Sequence, residues 1–401
     1  MNIETPAVVV GAGVNGLGVA RSLPRAKVPV WLLDTDMRRP EMHTRAARPL
    51  PISALHGDDL VKELVHLGVS RFTGLRPVLF LTQEASVATV SHHRKRLSSL
   101  YRFSLPPVDV VDALQHKQRF QCMAEKLGSP VSPLRHIRTP ADLAGLEDLH
   151  YPVVIKPGRR CVQYDQQFRK AYRIASASEA TDLVQRMLAV MPDIVVQEWI
   201  EGPDSAIHFC LQYRGPHGET VASFSGRKIR SWPPQVGGTA SCTAAPEVHE
   251  ELSALTTRFF RAAGVIGMAS MEYKRDQHTG AWRMIEPTIG RTDYQEEVAT
   301  LNGVNIAHAA WCSELGLPAP TSSANAHASV WRVRSEDMQS AARQGQRPGQ
   351  GYPRGDRVVD ALYRWHDPQP FLVQSLTRAR RALDTRMSRL VGGWQANGGK
   401  S

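Results

Sequence analysis

Met268-Ala-Ser-Met-Glu-Tyr273 and, a short polar stretch later, Trp282-Arg-Met-Ile-Glu-Pro-Thr-Ile-Gly-Arg291 are the runs whose reading decides the fold. Both are short and apolar, and the connection Lys274-Arg-Asp-Gln-His-Thr-Gly-Ala281 has the polar, glycine-bearing composition of a hairpin turn. The spacing predicts two antiparallel strands, Ala269–Tyr273 and Trp282–Glu286, each carrying one glutamate. Magnesium takes a few hard carboxylate oxygens together with phosphate oxygens and water, so Glu272 and Glu286 on neighbouring strands make a candidate metal site.

Upstream lie two lysines. Lys156 ends the buried-strand pattern Val153-Val-Ile-Lys-Pro157, and Lys117 lies in a helical pattern running from Val110 to Leu127. Lys156, taken alone, is also explained by a side chain reaching out to water from the end of an apolar strand. As a converging pair they neutralise the α- and β-phosphates of a nucleoside triphosphate and leave the γ-phosphoryl free to transfer. Between them and the hairpin, Ile194-Val-Val-Gln-Glu-Trp-Ile-Glu-Gly-Pro-Asp204 reads as a strand entering a sharp turn. Its backbone from Glu198 to Ile200 suits the adenine edge, and Asp204 suits the ribose hydroxyls.

The chain opens on a different pattern. Ala7–Val10, the glycine turn Gly11-Ala-Gly-Val-Asn-Gly-Leu-Gly18, a helix to about Leu23 and the strand Val28–Asp34 are the order of a doubly wound α/β unit. Strand-like runs near Val69–Phe72 and at Pro77–Thr82 extend that sheet, with a helical pattern at Leu60, Leu64 and Leu67. Gly11, Gly13 and Gly16 have dinucleotide-fingerprint spacing, and Asp34 follows where an acid would take a ribose hydroxyl. An NAD(P)- or FAD-dependent oxidoreductase is therefore a competing reading, beside a glycine turn that only packs its helix on the sheet. It leaves the lysine pair and the glutamate hairpin unexplained.

Composition narrows the class. With 401 residues, 42% hydrophobic and 22% charged, the chain has the makings of two or three globular domains, not a fibrous or disordered protein. Its net charge of +11 suits an anionic partner. From Trp331 onward 13 basic residues face 6 acidic ones, so much of that charge lies late in the chain. Five scattered cysteines without a CxxC pair, an acid where a secretory signal would carry basic residues, and no apolar stretch long enough to span a bilayer lead us to expect a cytoplasmic protein with no transmembrane segment. His92-His-Arg-Lys-Arg96 reads as a solvated helix face, so no nucleic-acid partner is expected. Trp232-Pro-Pro-Gln-Val-Gly-Gly238 reads as a substrate loop or a plain surface loop. Leu372, Leu376, Ala379, Leu383, Met387 and Leu390 make one helical stripe with arginines on its other faces, read as a packed helix whose basic face meets water, a partner or an acidic surface.

From the N-terminal unit to about His308, the order of lysine, strand-end lysine, hinge and paired glutamates resembles the ATP-grasp superfamily, and within it the carboxylate–amine ligases such as D-aspartate ligase and D-alanine–D-alanine ligase. The resemblance implies an α/β Rossmann-like (pre-ATP-grasp) domain over 1–108, followed by an α+β ATP-grasp domain with antiparallel sheets. Its small subdomain would cover 109–192 and its large subdomain 193–325, with a basic C-terminal segment over 326–401. It implies ATP and Mg2+ as cofactors, with Mn2+ as an alternative metal, and small-molecule carboxylate and amine substrates joined as an amide through an acylphosphate. The N-terminal glycine unit would then help to bind the acceptor, and the enzyme would be a homodimer.

By the same resemblance Lys117 and Lys156 hold phosphates, Gln197, Glu198, Trp199 and Ile200 form the adenine hinge, and Asp204 takes the ribose. Glu272 and Glu286 hold the metal, with Thr288 where the family usually has asparagine. Close relatives often place an arginine two residues before the first metal acid, where this chain has Ser270. Arg291, or the cluster Arg227-Lys228-Ile-Arg230, must then supply the charge at the transferring group, and Arg227 and Lys228 are candidates for the substrate carboxylate. The phosphate flap, Gly158 to Lys170, has a single glycine, so Arg159 and Arg160 are its candidate phosphate-covering residues. Thr288 and this flap motivate a further reading, a non-catalytic nucleotide-binding scaffold.

Overall fold

A computed structural model describes residues 5–158, 162–169, 171–292, 296–322 and 328–380. Strands β1 (Ala7–Val10), β2 (Val30–Asp34), β3 (Arg48–Pro51) and β4 (Val78–Leu81) form an N-terminal sheet in the order β3-β2-β1-β4, with all pairings parallel. The expected strand near Val69–Phe72 is absent. Residues to Ser70 continue the helix Gly57–Ser70, which buries Leu60, Leu64 and Leu67 on one face. The strand taking its place at the sheet edge, Arg48-Pro-Leu-Pro51, is mostly exposed. An edge position tolerates the two prolines that hide it from a strand pattern.

The glycine turn is a packing device. Gly11 has φ +96°, and a Cβ on Gly16 would stand 2.0 Å from the Gly11 carbonyl oxygen, whereas Gly13 has open space. Gly16→Ala is expected to cost at least about 2 kcal/mol through overpacking, and Gly13→Ala close to nothing; urea unfolding of both variants checks this. Asp34, fully buried, accepts the Ala12 N–H at 2.7 Å and the Asp36 N–H at 3.1 Å, and faces Arg39 at 3.2 Å. Its carboxylate closes the turn and is not presented to a ribose.

Strands β5 (Leu134–Ile137), β6 (Val153–Pro157), β7 (Tyr172–Ile174) and β8 (Ile194–Glu198) form a small antiparallel sheet in the order β5-β8-β6-β7. This sheet has its own core, built on Ile155, Val184 and Val196. β8 belongs with it, so the small sheet extends past residue 192. The helical pattern Val110–Leu127 is two helices, Val108–Leu114 and Lys117–Lys126. The His116 side chain caps the second by accepting the Arg119 N–H at 3.5 Å.

A seven-stranded sheet completes the molecule. It contains β9 (Ile207–Arg214), β10 (Thr220–Trp232), β11 (Gly238–Ala244), β12 (Gly267–Arg275), β13 (Trp282–Ile289), β14 (Ser329–Arg332) and β15 (Arg357–Asp360), ordered β13-β12-β9-β10-β11-β14-β15. All neighbours are antiparallel except β14 and β15. The predicted glutamate hairpin is β12–β13, but β12 runs on to Arg275, so Lys274 is a strand residue and not part of the turn. Two buried cores join this sheet to the N-terminal unit, one including Val8, Leu64, Phe259 and Met284, the other Val9, Leu32, Phe209 and Trp331.

The segment after residue 325 supplies β14 and β15 and is tied back to the first helix, where Arg21 pairs with Asp367. Beyond it, residues 369–380 are helical, yet Leu372 and Leu376 are 52% and 63% exposed. The expected packed stripe is thus uncovered over its described part, because the segment is anchored upstream by Asp367 and not by these leucines. Leu383, Met387 and Leu390 lie outside the described residues. Among the described residues no helix is long and apolar enough to cross a membrane.

Candidate active site

One cavity lies between the small and large antiparallel sheets, and most of the sequence-predicted nucleotide residues line it. The small sheet contributes Val154 and Lys156 from β6 and Gln197 and Glu198 from β8, continued by the hinge residues Trp199 and Ile200. Lys117 enters from the start of its helix. The large sheet contributes Ile207, Lys228, Glu272, Lys274, Ile285 and Glu286, and the loop Gln235–Gly238 closes one side.

Local structure explains how these side chains meet. On β6 the alternation that buries Val153 and Ile155 turns Lys156 to the other face. There its ammonium donates to Gln197 Oε1 at 3.1 Å. Gln197 is itself buried and donates at 3.4 Å to Gln121 Oε1 and to the Ser132 carbonyl. On β12 and β13, Glu272 and Glu286 stand directly opposite each other, and the next register pair joins Tyr273 to Met284. Ile285 is the extra residue of that β-bulge. Bulges re-aim side chains next to sites, and here two successive β13 residues, Ile285 and Glu286, reach the same wall.

The electrostatics centre on Glu272. Lys228 lies 2.8 Å from its Oε1 and 3.1 Å from its Oε2, with both side chains largely buried. That pair holds a negative charge in place ahead of any ligand. At the other end of the cavity, burial pulls the Lys274 ammonium down to about 8, against the opposing pull of Asp204 and Glu201.

Among the described residues no group of three or more His, Cys, Asp or Glu side chains converges into a self-sufficient cage. Two carboxylates facing each other across adjacent strands fit an ion that completes its shell with phosphate oxygens and water, which is how magnesium binds with nucleotides. Thr288 lies further along β13, opposite Ser270, and is not on the cavity wall.

No protein-family model matches the chain. Among solved structures, the biotin carboxylase domain of the Hydrogenobacter thermophilus 2-oxoglutarate carboxylase, in complex with MgADP, ADP and bicarbonate, matches over 82% of this chain and 74% of its own. The identity is 15% and the TM-score 0.64. An ADP complex of N5-carboxyaminoimidazole ribonucleotide synthetase matches over 89% of this chain and 92% of its own, at 17% identity and a TM-score of 0.64. The N5-carboxyaminoimidazole synthetase of Staphylococcus aureus matches over 86% of both chains, at 15% identity and 0.63. The chain has the ATP-grasp fold.

Several expected residues stand elsewhere in this ATP-grasp fold. Asp204 is buried, and its carboxylate accepts the Ser231 and Gln235 N–H groups, each at 2.9 Å. It shapes the loop beside the cavity and is not offered to a ribose. At the hinge, the Glu198 N–H is spent on the Pro133 carbonyl and the Trp199 N–H on the Pro152 carbonyl, so Ile200 carries the N–H still open to an adenine edge among the described residues. The Glu198 carboxylate faces away, accepting from the His150 backbone and facing its ring nitrogen, both at 2.9 Å.

The cationic cluster on β10 divides. Strand alternation sends Arg227 to the opposite face from Lys228, into a separate recess with Thr243, His249 and Asp356. It therefore cannot share a substrate carboxylate with Lys228. Arg230, almost fully buried, is held by Asp337 at 2.8 Å and by Gln346 at 3.0 Å. Arg291 lies past the end of β13, against Glu84 of the N-terminal unit at 3.2 Å, and is not on the cavity wall. Arg159 and Arg160 lie outside the described residues.

Lys274 escaped the sequence reading because it was counted within the hairpin turn. The signal that finds it is its place two residues after Glu272, which puts both side chains on one strand face. The glycine turn of the ATP-grasp N-terminal unit is filled by its own contacts. Besides Asp34 on Ala12, Asn15 donates to the Thr292 carbonyl at 2.7 Å and so joins the turn to the end of the glutamate hairpin.

Proposed function

We propose that this protein is an ATP-dependent carboxylate–amine ligase that forms an amide through an acylphosphate. The observation that carries the reading is one cavity in which Glu272 and Glu286 face three lysines, 117, 156 and 228, between two antiparallel sheets. The ADP, MgADP and bicarbonate in the solved structures of this fold support it.

In this reading Lys117 and Lys156 hold the α- and β-phosphates, with Gln197 keeping the Lys156 ammonium on the cavity side. The Ile200 N–H takes the adenine edge. Glu272 and Glu286 would hold magnesium, which would supply charge neutralisation at the phosphates. Lys228, already on Glu272, takes the charge-stabilising role that the sequence offered to Arg291. A carboxylate oxygen of the first substrate attacks the γ-phosphorus as the bond to the β-phosphate oxygen breaks, releasing ADP. The activation is needed because a free carboxylate is a poor electrophile and has no good leaving group. An amine then attacks the acyl carbon, the carbon–oxygen bond to phosphate breaks, and the amine loses a proton. Apolar Val154, Ile200, Ile207 and Ile285 give the cavity an apolar lining. A cytoplasmic setting and a homodimer belong to the same proposal.

The test is phosphate release from MgATP across a panel of acids, bicarbonate included, each with and without amines. Hydroxylamine replaces the amine in a parallel series to trap acylphosphate as hydroxamate. At least one acid is expected to give phosphate and hydroxamate in equal amounts. Tight nucleotide binding with no turnover on any pair would favour the scaffold reading instead.

A further inference from the structure

Lys274 is 5% exposed, lines the nucleotide cavity and lies on the β12 face that carries Glu272. Two residues of strand place it roughly 7 Å from the metal pair, toward the hinge. Its ammonium stands 4.7 Å from the centre of the Trp199 ring, and no hydrogen bond or ion pair holds it among the described residues. The nearby acids are engaged elsewhere: Asp204 on the Ser231 and Gln235 N–H groups, and Glu201 on Arg173 at 2.9 Å. An indole face attracts a cation but accepts none of its three directed N–H donors as an oxygen would. A buried ammonium without an acceptor is costly, so a ligand acceptor is the missing partner.

The geometry of the cavity limits which ligand atoms qualify. Phosphates belong at the end of Lys156, Lys228 and the glutamate pair, and the purine edge belongs at the Ile200 N–H. The ribose spans the distance between them. We propose that Lys274 donates to the ribose hydroxyl oxygens of the bound nucleotide and is the residue that selects ribonucleotide over deoxyribonucleotide. This rests on the ATP-binding reading above and gives to Lys274 the contact that the sequence offered to Asp204, which is buried and off the cavity wall.

Calorimetric titration of the full chain with the magnesium complexes of ATP, 2′-deoxy-ATP and 3′-deoxy-ATP tests it, in wild type and in Lys274→Met, which keeps the apolar stem on Trp199. Wild type is expected to bind ATP about tenfold or more tightly than at least one deoxy analogue, the size of one charge-assisted hydrogen bond. Lys274→Met is expected to bind ATP about 10–100-fold more weakly and all three nucleotides alike, with an unchanged melting temperature. A variant that keeps wild-type affinity and discrimination, while wild type binds ATP, overturns the role of Lys274 alone. Wild type that binds none of the three overturns the nucleotide reading along with it.

Discussion

Glu286→Gln is expected to lower ATP turnover by at least about a thousandfold, some 4 kcal/mol of transition-state stabilisation, while leaving thermal unfolding unchanged. Charge at the glutamate pair carries the effect. Glu286 brings one carboxylate charge to the site, directly opposite Glu272, whose own carboxylate lies 2.8 Å from Lys228. Glutamine keeps the size and the strand position but removes that charge and one hard ligand oxygen. The bulge at Ile285 should hold its side chain in place, so the fold has no reason to respond. Turnover by phosphate release and melting by circular dichroism separate the two effects. Full activity in the variant would remove Glu286 from the metal site.

Asp367→Ala is expected to have the largest effect on stability, about 3–5 kcal/mol, because it strands a buried arginine. Arg21 is 6% exposed and Asp367 2%, and they meet at 2.9 Å. Asp367 also accepts from the Thr44 hydroxyl and from the Arg45 N–H, and Arg21 donates to the Ala361 and Leu362 carbonyls. One carboxylate thus fastens the β15 end of the large sheet to the first helix of the N-terminal unit. Burial alone would raise the Asp367 pKa, but the Thr44, Arg45 and Arg21 interactions outweigh it and hold it below the ordinary value. A depressed carboxylate stabilises the fold above its unfolded pKa, roughly 3.9, and loses that contribution as pH falls through the folded value. The gap between wild type and Asp367→Ala in urea unfolding should therefore be full at pH 7 and shrink below about pH 4. A gap that stays constant to pH 2 would contradict the ionic role.

Particular residues show how much was legible in the sequence. The hairpin, the strand-end Lys156 and the β8 hinge were readable because each depends on a local pattern: apolar alternation, then a charged or turn residue at a fixed place. The N-terminal parallel unit was readable from its glycine turn for the same reason. Asp204, Asp34 and Arg291 were not, since a carboxylate or guanidinium at a promising spacing looks the same in sequence whether it faces a ligand or its own backbone. Their partners, Ser231, Ala12 and Glu84, lie 27, 22 and 207 residues away. Arg227 and Lys228 were grouped by adjacency, and strand alternation separates them. The C-terminal contribution to the large sheet was hidden because β14 and β15 are four residues each and gain their meaning only from long-range pairing, β14 with β11 and β15 with β14.

The most direct measurement is equilibrium binding of MgATP to the full chain, compared with NAD, NADP and FAD under the same conditions. One MgATP per chain is expected, with competition by ADP, no binding of the dinucleotides, and loss of MgATP affinity in Lys156→Ala. Binding of a dinucleotide with no response to MgATP would contradict it and return the glycine turn at Gly11 to the centre of the protein's function.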